Sequence, residues 1–213
     1  MSPALVVVLL ALLLGIQPIT TDVYLPALPS LQQDLGASMA QVQMTFAALL
    51  LSFGISQLVW GPLSDRFGRK PILLWGMGAY VLASVACVLA PSMALLIAAR
   101  IAQGAAMGAA VMGARAVVRD LYAPLEGAKV MSRGLSGLGV IAILCTPLGG
   151  LLTDWVHWRA AMAVLAVFGV GTLALLMLRF QETIPARNPQ ALAPRTLWRS
   201  WAQIARHPTF ASY

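Results

Sequence analysis

Long apolar stretches separated by short polar ones run through the 213-residue sequence. A helix needs about 20 mostly apolar residues to cross a bilayer whose hydrocarbon core is about 30 Å thick. The pattern predicts six such spans, which cover approximately residues 4–26, 41–61, 71–90, 93–114, 134–152 and 160–178. Residues 1–180 are therefore expected to form an all-helical transmembrane bundle.

The sequence changes in character after Arg179. Residues 181–194 are polar and rich in proline. The following residues contain several arginines, and among them apolar residues recur at helical spacing, namely Leu197, Trp198, Trp201 and Ile204. This pattern predicts that residues 181–213 form a basic linker with an amphipathic helix on the membrane surface. Residues 207–213 are expected to lead towards a seventh span, which is missing.

The amino-acid composition excludes several classes of protein. Hydrophobic residues make up 60% of the chain and charged residues 10%, which excludes a soluble globular core, a disordered chain and a disulfide scaffold. The net charge of +7 comes from basic residues dispersed among apolar runs, so nucleic-acid binding is not expected. Cys87 and Cys145 lie inside apolar runs, and neither His157 nor His207 has a second ligand at helical spacing, so no metal site or cofactor is expected.

The distribution of lysine and arginine predicts the orientation. Three lie between spans two and three, four between spans four and five, and five from Arg179 onward, whereas Arg159 alone lies in a loop on the opposite side. The positive-inside rule then places both termini in the cytoplasm.

The turn between spans two and three is the most strongly charged stretch of the chain. Its charges would each cost a few kcal/mol in hydrocarbon and so indicate a water-facing turn; they are Asp65, Arg66, Arg69 and Lys70. We expect Gly61 and Pro62 to end the preceding helix and Gly68 to adopt a conformation closed to other residues. An alternative explanation is that any multispan protein needs basic loops on its cytoplasmic side.

Two further charged residues lie within or near the spans. Arg100 is expected about 10 Å inside span four, where its guanidinium must face a water-filled cavity or a partner, pair with backbone carbonyls, or extend towards the interface. Gln103, one turn further on the same face, could hold Arg100 or a water molecule. Asp22, near the outer end of span one, is either an ordinary interfacial carboxylate or a protonatable group that faces a cavity.

The charged turn resembles the signature G-x-L-x-D-R-x-G-R-[KR] between spans two and three of major facilitator superfamily transporters. The matching residues are Gly61, Leu63, Asp65, Arg66, Gly68, Arg69 and Lys70. The resemblance implies one half of a major facilitator fold, in which six spans form a repeat of three plus three.

Other stretches are similar to the Bcr/CflA drug:proton antiporters. Residues 21–29 fit the pattern T-D-x-Y-L-P-A-x-P, and residues 100–104 fit R-x-x-Q-G. The resemblance implies that Asp22, Arg100 and Gln103 take part in proton coupling. An imperfect match to the antiporter motif G-P-x-x-G-G, with threonine in place of its first glycine and one residue fewer, suggests a hinge at Thr146, Pro147, Gly149 and Gly150.

The resemblance implies proton-coupled export of small amphipathic drugs or metabolites across a bacterial inner membrane, with the proton gradient as the energy source. A C-terminal six-span half, or a second copy of this chain, is the expected partner. The alternatives are a non-transporting six-span fragment or assembly partner, and a carrier of another small solute. An enzyme is not expected, because the spans contain no paired carboxylates, no histidine ligand pair and no serine or cysteine beside a base.

Three specific expectations follow. Asp65 and Arg69 should form a cytoplasmic latch with Arg115 or Arg119 that helps to hold the outward-facing state. Asp22 should carry the proton. Arg100 cannot carry it, since a guanidinium stays protonated, and should instead adjust how strongly Asp22 holds the proton. This chain alone should not transport, because the cavity of these transporters lies between two six-span halves.

Overall fold

The computed structural model of the protein describes residues 1–193. Its helices in chain order are α1 (Pro3–Asp22), a 3-10 helix (Leu25–Ala27), α2 (Leu28–Asp34), α3 (Met39–Phe67), α4 (Arg69–Leu89), α5 (Met93–Leu121), α6 (Pro124–Trp155) and α7 (Trp158–Arg179). Six segments of residues 1–193 are long and apolar enough to cross a membrane, the first of them running from Pro3 to Asp34. No strand occurs in these residues, so the prediction of an all-helical six-span bundle is confirmed for them.

Serine side chains cap the N-termini of three of the long helices. Ser2, Ser38 and Ser92 each accept a hydrogen bond from the backbone N–H three residues further on. At α3 the bond is reciprocal, because the Gln41 side chain also accepts a 2.9 Å hydrogen bond from the Ser38 backbone N–H. A serine followed three residues later by a glutamine is a capping-box pattern in the sequence, and the structure contains this box, which satisfies two N–H groups that a helix start leaves without partners.

The charged turn is shorter than predicted. The expectation that Gly61 and Pro62 end the second span is wrong, since α3 continues through both to Phe67. A proline inside a helix removes one backbone hydrogen bond, and the surrounding bonds keep the helix intact here. The helix ends instead at Gly68, whose φ of 108° is the conformation expected of it.

The polar stretch between spans four and five is helical, which the sequence interpretation missed. Residues 115–133 were expected to connect the spans, but α5 extends to Leu121 and α6 begins at Pro124. Charged residues mark where a helix leaves the hydrocarbon, while Ala, Arg, Glu and Lys all favour its continuation. In contrast, α1 ends at Asp22, before the predicted boundary at residue 26, and the unpredicted short helix α2 follows.

The helices pack pairwise. The main contacts are between α3 and α5, α4 and α5, α1 and α6, and α4 and α7. Close approach of α3 to α5 requires small residues: a Cβ at Gly104 would overlap Ser52 and the Leu49 carbonyl, and a Cβ at Gly108 would overlap Ser56. The helices α1 and α5 are the most buried of the membrane-length segments, and α6 is the least buried.

The amphipathic helix predicted around Leu197, Trp198, Trp201 and Ile204 lies outside the described residues. It therefore stays a prediction, as does the placement of both termini in the cytoplasm.

Candidate functional site

Arg100 lies at the centre of a polar network inside the helix bundle. Its side chain is fully buried. One terminal nitrogen donates a 2.7 Å hydrogen bond to Oε1 of Gln103, and both terminal nitrogens lie within 3.4 Å of the Thr20 carbonyl oxygen. Its Nε has no hydrogen-bond partner among the described residues. The structure thus places Gln103 beside Arg100, and it provides a backbone carbonyl as the other partner.

The network continues through α4. Gln103 donates a 2.8 Å hydrogen bond from Nε2 to Ser84 Oγ, which in turn donates to the Tyr80 carbonyl at 2.7 Å. The hydroxyl groups of Tyr80 and Thr20 are 2.6 Å apart. A chain of hydrogen bonds therefore connects α1, α4 and α5 through residues that are all buried, and such a network specifies one arrangement of the three helices.

The stabilisation of a buried guanidinium has to offset its desolvation. Hydrogen bonds to a charged group contribute roughly 1.5–3 kcal/mol each, against a cost of a few kcal/mol or more for an arginine at membrane depth. No carboxylate in residues 1–193 lies within 4.0 Å of the Arg100 guanidinium. Its positive charge is therefore stabilised by dipoles and by the aromatic ring of Tyr24.

Asp22 is separate from this network. It is the last residue of α1 and is half-buried, and its Oδ1 accepts a 2.7 Å hydrogen bond from Thr21 Oγ1. The structure does not bring Asp22 and Arg100 into an ion pair, although the carbonyl that Arg100 binds is only two residues before Asp22. The joint role of Asp22 and Arg100 in one proton cycle stays a prediction.

The charged turn forms a second site at the end of the bundle where α3 meets α4. The Arg69 side chain is 3% exposed and forms ion pairs of 2.7 Å with both Asp65 and Asp120. It also donates a 3.0 Å hydrogen bond to Ser64 Oγ. Asp120, on α5, was missed in the sequence because it follows the predicted partner Arg119 directly in a run of mixed charge.

Arg115 and Arg119 line the same cavity as the charged turn. The cavity has a volume of about 440 Å³, and its other walls include Gly61, Asp65 and Arg69. Neither arginine lies within ion-pair distance of Asp65 in the described structure. The structure therefore brings the predicted latch residues to one cavity, while the ion pairs that cross from the turn to α5 go to Asp120.

The remaining residues of the charged motif lie around this core. Arg66 is exposed, with its guanidinium 5.5 Å from the centre of the Phe67 ring, and Leu63 and Lys70 are half-buried. The Lys70 backbone N–H points to the segment after α7, where Glu182 accepts its hydrogen bond at 3.2 Å.

The predicted hinge motif lies within α6. The helix passes through Pro147 without ending, and Thr146 and Pro147 are exposed. Gly149 is buried against the Val23 backbone, where an added Cβ would overlap the Val23 carbonyl. Gly150, the next residue, is half-buried. The motif thus contacts the turn directly after Asp22.

A third cluster of charges lies at the opposite end of the bundle from the charged turn. Asp34 accepts hydrogen bonds of 2.9 Å from Trp158 Nε1 and 2.8 Å from Arg159. Arg159 also donates to the Ala90 carbonyl at 3.3 Å, and its guanidinium lies 4.2 Å from the centre of the Trp158 ring. These contacts join the end of α2, the loop before α5 and the start of α7.

The chain matches a known protein family over nearly its whole length. Residues 10–213 match the family model described as Major Facilitator Superfamily. The chain belongs to the major facilitator superfamily. It is therefore a membrane protein of a transporter family, as the resemblance of the charged turn implied.

Curated relatives from this superfamily include proteins named for drug resistance. The chain is 35% identical over 182 residues to "Multidrug resistance protein D" of Escherichia coli (strain K12), which covers 85% of the chain and 46% of the relative. It is 37% identical over 184 residues to "Chloramphenicol resistance protein" of Pseudomonas aeruginosa, which covers 86% of the chain and 42% of the relative.

A further relative, "Uncharacterized MFS-type transporter YdgK" of Bacillus subtilis (strain 168), is 32% identical over 208 residues, 96% of the chain and 52% of the relative. The chain thus spans about half the length of the curated relatives that it matches.

A solved structure shares the fold. The crystal structure of the human organic anion transporter MFSD10 (TETRAN) aligns with the whole chain and with 59% of its own length at a TM-score of 0.72. Sequence identity is 22%, so this similarity supports the fold alone. Together with the six membrane-length helices, it supports one half of a major facilitator fold.

Proposed function

We propose that this chain is the N-terminal half of a proton-driven exporter of small amphipathic drugs or metabolites in a bacterial inner membrane. Two relatives that match 85% and 86% of the chain carry names that refer to multidrug and chloramphenicol resistance. Their names motivate the substrate class. A carrier of another small solute would use the same fold.

The burial of Arg100 is the observation on which the proposal mainly rests. An apolar residue of similar volume would pack inside the bundle without the desolvation penalty of a guanidinium. A fully buried cation with no carboxylate of residues 1–193 within 4.0 Å is therefore more easily explained by transport than by stability. Charged residues inside membrane spans usually mark ion or substrate pathways.

In the proposed cycle Asp22 carries the proton. Asp22 is half-buried at the end of α1, two residues after Thr20, whose carbonyl Arg100 binds. Protonation of Asp22 from the outer side would neutralise it and favour drug release, and loss of the proton to the cytoplasm would restore the charge for the next drug. Arg100 stays charged throughout the cycle. It influences proton binding by Asp22 and does not itself release a proton.

A second six-span half would complete the transport cavity. The exposed apolar surface of α6 includes Val140, Ile143, Leu144 and Leu151, which either lipid or a second half can cover. Because the chain spans about half the length of its relatives, we propose a C-terminal half as the partner, with a homodimer as the alternative.

Reconstitution into vesicles tests this proposal. Residues 1–213 joined to a second six-span half should export a fluorescent drug when a pH gradient is imposed, and a protonophore should abolish the export. Residues 1–213 alone should not transport. Drug movement driven by the pH gradient in vesicles that contain only this chain would favour the homodimer. Lack of pH-driven movement in the joined protein would contradict proton-coupled export.

A further inference from the structure

The Tyr24 ring lies directly over the Arg100 guanidinium. The carbon at the centre of the guanidinium is 3.9 Å from the ring centroid. Tyr24 is fully buried, and its hydroxyl is 2.5 Å from Thr45 Oγ1 on α3. The hydroxyl group thus contacts α3, while the ring contacts Arg100 on α5. Its π face provides the negative electrostatic potential that no carboxylate in residues 1–193 supplies to Arg100.

The terminal nitrogens of the guanidinium bind the end of α1. Both terminal nitrogens lie within 3.4 Å of the Thr20 carbonyl oxygen, and α1 ends at Asp22. The last four carbonyl groups of a helix have no intrahelical partner, and a cation near them interacts favourably with the helix dipole. Arg100 therefore acts as a C-terminal cap of α1 that comes from another helix.

We propose that Tyr24 is a positioning residue that holds Arg100 against the C-terminal end of α1. Through this contact Arg100 fixes the helix end that presents Asp22, and it acts on Asp22 through the backbone rather than through an ion pair. The importance of this contact for export rests on the proposed function. The contact between Tyr24 and Arg100 does not depend on the proposed function, since it is a property of the folded bundle.

The ring is the part of Tyr24 that the proposal requires. Tyr24→Phe keeps the π face and loses only the contact with Thr45, whereas Tyr24→Leu keeps an apolar side chain and loses the π face. The two substitutions therefore separate the aromatic ring from the hydroxyl group. Tyr122→Leu serves as the matched control, because Tyr122 lies at the end of α5 beside Arg119 and away from the network.

Cys87 reports on the network independently of transport. Its sulfur is fully buried, 3.8 Å from the same Gln103 Oε1 that accepts from Arg100. In a Cys145→Ser background Cys87 is the only thiol, because the chain has two cysteines. The experiment measures the rate at which a small membrane-permeant maleimide labels Cys87 in the purified protein in lipid nanodiscs.

Tyr24→Leu should increase the labelling rate by about tenfold or more, since Arg100 loses a desolvated cation–π contact and water can enter. Tyr24→Phe should stay within about twofold of the parent, and Tyr122→Leu should match it. An unchanged rate in Tyr24→Leu, or an equal increase in Tyr24→Phe, would overturn the proposal. If Tyr24→Leu does not fold, Tyr24→Phe still tests the proposal, because a labelling rate in Tyr24→Phe more than about twofold above that of the parent would overturn it.

Export by the variants tests the positioning role separately. In a twelve-span protein that contains this half, Tyr24→Leu should lower the maximal export rate and leave the half-saturating drug concentration near that of the parent, whereas Tyr24→Phe should keep the parent's rate. Faster Cys87 labelling with unchanged export would refute the positioning role but leave the contact established. Failure of the parent to transport would refute the proposed function and leave the labelling result intact.

Discussion

The carboxylate of Glu182 accepts a 2.8 Å hydrogen bond from the backbone nitrogen of Arg69, 113 residues earlier in the chain. Its second oxygen accepts from the Lys70 backbone nitrogen at 3.2 Å. The first N–H groups of a helix have no partner within that helix, so Glu182 caps α4 from the segment that follows α7. This contact fastens the start of the connection after the sixth span to the charged turn.

Loss of this cap should destabilise the bundle. We expect Glu182→Ala to lower the free energy of unfolding by about 1 kcal/mol, the usual effect of removing a capping side chain. Thermal unfolding in detergent, followed by tryptophan fluorescence, measures the change. Asp154→Ala is the control, because it removes an exposed carboxylate at the opposite end of the bundle. Equal melting temperatures for the two variants would contradict the capping role.

Gly68 should be sensitive to substitution for two reasons. Its φ of 108° disfavours any side chain, and an added Cβ would overlap the Glu182 carboxylate. Gly68→Ala should therefore destabilise by about 1–3 kcal/mol, more than Glu182→Ala does.

A double mutant separates the two causes. In a Glu182→Ala background, Gly68→Ala should have a smaller effect on the melting temperature, because only the backbone strain remains. Gly54→Ala in α3 should be neutral or slightly stabilising, because an added Cβ would have no neighbour within 4 Å in the part of the chain that the structure describes. Strict additivity of the two substitutions would show that Gly68 and Glu182 do not interact.

The paired carboxylates around Arg69 should be partly interchangeable. Either Asp65→Asn or Asp120→Asn leaves one 2.7 Å ion pair to a side chain that is 3% exposed. Removing both leaves a buried cation without a counter-ion, which typically costs about 3–5 kcal/mol. We therefore expect the double variant to be destabilised by more than the sum of the single variants in the same melting assay.

The predicted latch has its own test at the same residues. In a twelve-span context, Asp65→Asn should change both the export rate and the accessibility of cysteines placed in the outer cavity. If neither changes while the protein still folds, the charged turn stabilises the bundle without gating it.

The sequence was sufficient to predict features with a local signature. Six apolar runs, the capping box at Ser38 and Gln41, and the unusual conformation of Gly68 all follow from neighbouring residues. Helix ends beyond the hydrocarbon were missed, because polar residues at Arg115 and beyond look like a loop when only hydropathy is considered.

The long-range partners were not predictable in the same way. Asp120 and Glu182 are 51 and 113 residues from Arg69, and no local pattern distinguishes them from other surface acids. Tyr24 lies within a motif that was recognised, but its contact with Arg100 depends on how α1 packs against α5. Such contacts arise from tertiary packing, which hydrophobic periodicity constrains only loosely.

The most direct test of Asp22 as the proton carrier of export is the transport activity of Asp22→Asn in a twelve-span protein that contains this half. Everted vesicles would be given a pH gradient, and accumulation of a fluorescent drug would be followed with and without a protonophore. We predict that the variant folds and can still bind drug, but does not accumulate it in response to the gradient. If Asp22→Asn accumulates drug against its gradient and a protonophore abolishes that accumulation, Asp22 is not the proton carrier.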